Sequence, residues 1–274
     1  MNWKKSFLAI IFALPLCAVG QDAYLDSLKT ALADSLDSKR KLVLLNELSN
    51  SIYSSDPNAA INYGNEAKNL AFALQDSSQL AYALKNIGLG YYVFGNYLET
   101  SLFWEQSLEI YRLINDDLGA ANLLSNLGVV YGNQGDDAKA IDNYLQSLRI
   151  SEELGDSLRI ASALGNVGFA YSSKPATFDL ALQYLWRSLK MGEQIGDPDV
   201  AGISAYRIGD IDYQKGQKES LFFDSSIYYH EKSIIGIENT TDGAATLNLI
   251  GRIYAEKDDY DQALSAQREA LLIA

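Results

Sequence analysis

Asp117 to Asp156, D-L-G-A-A-N-L-L-S-N-L-G-V-V-Y-G-N-Q-G-D-D-A-K-A-I-D-N-Y-L-Q-S-L-R-I-S-E-E-L-G-D, is the stretch on which the rest of the chain is patterned. Displacing the sequence along itself by 40 residues aligns Asn86-Ile87-Gly88, Asn126-Leu127-Gly128 and Asn166-Val167-Gly168. Arg207-Ile208-Gly209 follows after 41 residues and Leu249-Ile250-Gly251 after 42 more. A fixed period of this length marks an array of supersecondary units, each too small to bury its own apolar face.

Within one unit, Leu124, Leu127 and Tyr131 stand at i, i+3 and i+7, the spacing of one helical face. Ala140, Tyr144, Ser147 and Leu148 form a second such face, so each unit is a pair of amphipathic helices. Gly132 to Asp136 supplies the turn, with Asp136 placed to cap the second helix, and Gly155 suits the left-handed position that ends it. Gly88, Gly128, Gly168, Gly209 and Gly251 lie inside first helices, where Gly costs roughly 1 kcal/mol relative to Ala. Five at one phase predict a close approach between the paired helices. Small residues at Thr100, Ala140, Ala181, Ser226 and Ala263 serve the same contact from the other side.

These positions resemble the tetratricopeptide repeat: Leu84, Leu124, Leu164 and Leu247 at its fourth position, Leu-like then Gly at the seventh and eighth, Tyr91, Tyr131, Tyr171 and Tyr254 at the eleventh, a small residue at the twentieth, and Trp104 and Tyr144 at the twenty-fourth. The period of about 40 with an L-G-D ending is similar to the long-repeat subclass of Pins-type adaptors and kinesin light chains. The resemblance runs from about Ser38 to the end of the chain. It implies an all-α, right-handed superhelical solenoid that binds a protein or peptide segment in its groove and catalyses no reaction.

Six repeats are expected, at residues 38–76, 77–116, 117–156, 157–197, 198–240 and 241–274, the last incomplete, with residues 21–37 as a lead-in or capping helix. The first repeat is degenerate, since Leu48 stands where Gly is expected. The fifth has Asp212 in place of Tyr and a lengthened turn carrying Leu221-Phe222-Phe223, which either tucks over its neighbour or meets a partner.

Residues 1–20 read as a secretory signal: Lys4 and Lys5, an apolar run from Phe7 to Leu16, then small residues before Gln21. The run is too short to span a bilayer. Lipidation at Cys17 and an uncleaved anchor are rival readings, Leu16 being a poor match to a lipoprotein signal. The expected location is periplasmic or otherwise extracytoplasmic, with membrane tethering only if the array belongs to a longer protein. Cleavage removes the one Cys, so disulfide chemistry is absent from the mature chain. It also removes Lys4 and Lys5, taking the formal charge from -13 to -15. That acidity argues against nucleic acid as a partner, because phosphate recognition needs dense Lys and Arg.

Catalytic and cofactor motifs are missing: no phosphate loop, dinucleotide fingerprint, nucleophile elbow or metal-ligand spacing occurs. His230 falls on the aromatic position of a second helix and reads as core packing. Asn239-Thr240-Thr241 is a weak glycosylation sequon. The remaining constellation is a ladder of Asn46, Asn86, Asn126 and Asn166, with Arg207 on the next rung. The resemblance implies that Asn86, Asn126 and Asn166 face the concave groove, where an amide offers donor and acceptor to a peptide main chain. The alternative is that they bond neighbouring helices and hold the stack in register, the favoured reading for Asn46. Lys85, Arg207 and Arg252, assigned to the same inner face, suit an acidic side chain or a C-terminal carboxylate. The signal, the long repeat and Tyr171-Ser172-Ser173-Lys174-Pro175-Ala176-Thr177 are also similar to sensory arrays that precede bacterial adenylate/guanylate cyclases and histidine kinases.

Overall fold

The computed structural model describes residues 18–273 apart from Leu36, Gly236 and Asn239, with side chains described from Ala23 onward. The expected signal segment and Cys17 therefore lie outside the described residues, as does the Asn of the sequon. Every regular element is helical: α1 (Ala18–Ala33), α2 (Ser38–Ile52), α3 (Pro57–Leu74), α4 (Ser77–Val93), α5 (Tyr97–Leu113), α6 (Asp117–Gln134), α7 (Asp137–Leu154), α8 (Ser157–Tyr171), α9 (Phe178–Ile195), α10 (Pro198–Gly216), α11 (Phe222–Ser233), α12 (Thr241–Glu256) and α13 (Tyr260–Ile273). No strand occurs among the described residues. The all-α array of helix pairs expected from the periodicity is thus the fold observed. None of the described helices is long and apolar enough to cross a membrane.

Local sequence fixes where most of the helices start, α5, α9 and α11 being without a side-chain cap. Asp37, Asp56, Asp76, Asp116, Asp156 and Asp197 all accept a backbone N–H of the following helix on the side chain, at 2.8–3.1 Å for Asp37, Asp56, Asp76, Asp116 and Asp156 and 2.9 Å for Asp197. Asp136 caps α7 in the same way through Lys139 N–H, as the turn composition implied. The Asp of each L-G-D ending therefore closes one repeat and opens the next. Gly155 and Gly196 take φ of 68° and 70° just before it, a left-handed conformation that Gln75 and Asn115 adopt in the first two repeats.

The helices form two compact units, one through Ser147 and one from Leu148 onward. In the first, α1 lays Leu28 on Leu44 and Leu48 of α2, while Leu42, Leu45, Ala67, Ala71 and Ala83 join α2, α3 and α4. In the second, Phe178, Leu182, Leu185 and Leu189 of α9 pack on Ala205, Ile208 and Ile211 of α10, and Phe223 and Ile227 of α11 lead into Leu247, Ile250 and Ile253 of α12.

The interior glycines have a specific occupant. A Cβ on Gly88 would lie 2.3 Å from the Trp104 ring, on Gly128 2.4 Å from Tyr144, on Gly168 2.6 Å from Leu185 and on Gly209 2.2 Å from His230. The twenty-fourth side chain of each repeat rests on the eighth-position Gly of its own partner helix. The first repeat reverses the sizes: Leu48 is large and buried, and the twenty-fourth position is Gly64, where a Cβ would meet Ile87 at 2.7 Å. The small residue of this repeat thus makes room for Ile87 of α4, a neighbour in the next repeat.

A second contact had no counterpart in the sequence reading. Ser107, Ser147 and Ser188 donate from the second helix to the carbonyls of Ala81, Ala121 and Ala161 at 2.7, 2.8 and 2.7 Å. Each latches the end of α5, α7 or α9 to the start of its partner. The regular spacing of these serines was the available signal.

Of Leu221-Phe222-Phe223, two residues turn inward. Phe223 is buried over Gly216 and Phe222 lies under the Lys215 ammonium, 5.4 Å from its ring centroid, while Leu221 remains exposed.

Candidate functional site

First helices present the Asn ladder, and its rungs divide by burial. Asn46 is buried and donates to the main-chain and side-chain oxygens of Gln79 at 3.1 and 2.8 Å. Asn86 has no exposed surface and donates to the carbonyl of Asn46 at 3.0 Å. A side chain so placed ties α4 to α2 and presents no face to a peptide, so Asn86 leaves the groove set for the stacking role. Asn126 of α6 and Asn166 of α8 are half-buried and bond no other described residue. The bond made by Asn86 displays the chemistry of the position, an amide aimed at a main-chain carbonyl.

Lys85, beside Asn86 on α4, is a half-buried ammonium 4.4 Å from the Tyr82 ring centroid with no carboxylate partner. Burial pushes it down to about 8. Its position is fixed by the neighbouring Trp104, whose indole N–H donates to the Lys85 carbonyl at 2.9 Å. Tyr82, raised by the same burial, forms the ring wall beside the ammonium.

In the second unit the two arginines are already engaged. The Arg207 guanidinium lies 4.3 Å from the Phe169 ring centroid and 3.9 Å from Asp210, and burial lowers its affinity for the proton while Asp210 opposes that effect. Arg252 donates to the Tyr213 hydroxyl at 3.4 Å, and Tyr213 in turn donates to Glu256 at 2.8 Å. Among the described residues, Lys85 is the cation of the expected set whose only recorded side-chain contact is an aromatic ring, that of Tyr82.

His230 is fully buried, with Nδ1 2.8 Å from the Ser226 carbonyl and Nε2 3.4 Å from Asp210. It serves as the ring over Gly209, as its register implied. Burial raises the Asp212 carboxyl, and the Ser225 hydroxyl, Lys215 and His230 hold it back. No group of three His, Cys, Asp or Glu among the described residues is placed to hold a metal ion.

A profile of the tetratricopeptide repeat matches residues 79–153 and 119–194, and a second matches 244–274. The chain belongs to the tetratricopeptide-repeat family. This array is similar in fold to BtubC from P. vanneervenii, with a TM-score of 0.65 and 16% identity over 90% of this chain and 91% of that one. It is also similar to a signal transduction ATPase with numerous domains that carries a tetratricopeptide repeat sensor, from Pyrococcus horikoshii, with a TM-score of 0.76 and 17% identity over 92% of this chain and 39% of that one. A Rap protein complexed with competence and sporulation factor matches at a TM-score of 0.62 and 15% identity, over 92% of this chain and 70% of that one. Among curated proteins none matches the sequence.

Proposed function

We propose that this tetratricopeptide array is a non-enzymatic, exported scaffold that binds a peptide or protein segment along the face of its first helices. The observation that carries the reading is the half-buried amide of Asn126, which bonds no other described residue, at the position where Asn86 bonds a main-chain carbonyl; Asn166 repeats it within the second unit. A half-buried amide still reaches water, so it stands in the free protein at little cost and keeps both its donor and its acceptor for a ligand main chain. Lys85 adds a partly desolvated ammonium that rests on the Tyr82 ring and has no ion pair among the described residues, so the ligand carries an acidic side chain or a C-terminal carboxylate there. The fold shared with a Rap protein solved in complex with competence and sporulation factor supports a binding role for the array.

The test is to pan a library of peptides with free C-termini against the full chain. Asn126→Ala weakens a peptide selected on the first unit, or Asn166→Ala one selected on the second, by about tenfold while leaving the melting temperature nearly unchanged. Unchanged affinity in both single variants rejects the reading. Export is tested by amino-terminal sequencing of the protein recovered from its native compartment, with Gln21 as the expected first residue.

A second reading has its own support. The likeness to a signalling ATPase whose repeats are a sensor favours an amino-terminal sensory region of a longer signal-transduction protein, such as an adenylate/guanylate cyclase or a histidine kinase. Reading the gene beyond codon 274 decides it: an effector domain makes the array an input module, and a stop codon excludes that.

A further inference from the structure

Neighbouring second helices are clasped by a polar pair at one repeated position. The residue four before the closing Asp reaches the next second helix: Arg112 donates to Gln146 at 2.8 Å, Glu152 pairs with Arg187 at 3.6 Å, and Glu193 pairs with Lys232 at 2.5 Å. In the first repeat that position is Phe72, and the residue in register opposite is Gln106. No clasp forms. Phe72 is 77% exposed, beside an open groove of about 570 Å³ between α3 and α5.

The groove has an apolar floor of Leu80, Leu84 and Ile110, with Phe72 standing at its edge and Gln106 and Glu109 on the opposite side. A phenyl ring held in water where the other repeats carry charge contributes nothing to the fold, and an exposed apolar patch beside a concavity marks a contact surface. The charges at the rim are unequal in availability. Lys68 donates to Asn65 at 3.1 Å and lies 5.9 Å from the Phe103 ring centroid, so its ammonium is engaged. Glu109 is exposed and bonds no other described residue.

We propose that the groove between α3 and α5 docks a segment of a partner protein in which a large apolar side chain stands beside a Lys or Arg. The apolar side chain enters against Phe72, Leu80, Leu84 and Ile110, and the cation meets the Glu109 carboxylate. The formal charge of -13 favours the encounter with a basic segment over an acidic one. This surface opens between the second helices α3 and α5 over Leu80 and Leu84 of α4, and neither Asn126 nor Lys85 lines it.

The experiment uses the full chain and two labelled synthetic peptides, one of Leu and Lys and one of Leu and Glu, at about 0.15 M salt so that diffuse attraction is screened. The Leu/Lys peptide binds, and Phe72→Arg, which supplies the Arg112 type of side chain opposite Gln106, weakens it by about tenfold. Glu109→Gln weakens it by about threefold, and Glu153→Gln, which removes a carboxylate from another second helix, leaves it unchanged. Melting curves of Phe72→Arg matching the wild type exclude unfolding as the cause. Equal binding by wild type and Phe72→Arg, or by the Leu/Glu peptide, overturns the proposal. A concentration-dependent dimer of the wild type that Phe72→Arg dissociates also overturns it, making a second copy the occupant.

Discussion

The ring of Tyr144 lies on Gly128 so closely that a Cβ there would stand 2.4 Å from it. Two features the sequence places 16 residues apart, a helix-weakening Gly and a buried aromatic, are one contact. Gly128→Ala therefore destabilises the chain by about 1–3 kcal/mol through overpacking. In a Tyr144→Ala background the sign reverses, because the added methyl enters free space and Ala improves on Gly in a helix by roughly 1 kcal/mol. A double-mutant cycle by urea unfolding measures both; equal effects in the two backgrounds refute the contact.

Asn86 and Asn126 carry the same amide at the same phase and are expected to respond differently. Asn86→Ala removes a buried bond to the Asn46 carbonyl and leaves a void, costing about 2 kcal/mol. Asn126→Ala changes stability by less than about 0.5 kcal/mol, as a substitution outside any packed or bonded network does. Thermal melts of the two single variants make the comparison, and similar losses would place both in the stack.

Lys85 gives the chain a pH signature. Its folded value of about 8 lies below the ordinary value of 10.5, so the desolvation cost is fully present below pH 8. Between pH 8 and 10.5 the folded state sheds the proton while the unfolded state keeps it, and this group's contribution makes stability rise. Lys85→Met is accordingly more stable than the wild type at pH 7, and the gap closes by pH 10.5. For an acidic ligand of the first-helix face the dependence has the opposite sense: affinity falls as pH passes 8. A stability gap that stays constant from pH 7 to 10.5 would count against a desolvated ammonium at this site.

The serine latch is tested at Ser107, whose hydroxyl donates to the Ala81 carbonyl in the protein interior. Ser107→Ala costs about 1 kcal/mol, the usual net worth of such a bond. Ser107→Val costs more, since the added methyl must fit between packed helices. Stabilisation by either substitution would contradict the latch.

Sequence alone determined the helix pairs, their phase and the family, because a period of about 40 with i, i+3, i+7 faces leaves one way to bury them, by stacking. It also marked the Asn ladder and the cationic residues as candidates. Tertiary structure decided which of them are buried or already bonded. Equivalent Asn residues differ because burial depends on how far neighbouring first helices close over them, which is a matter of packing and not of register. The close approach of Ile87 to Gly64 and the open edge at Phe72 stayed hidden for the same reason: both are defined by partners in other helices, Ile87 and Gln106, whose proximity only the folded chain establishes.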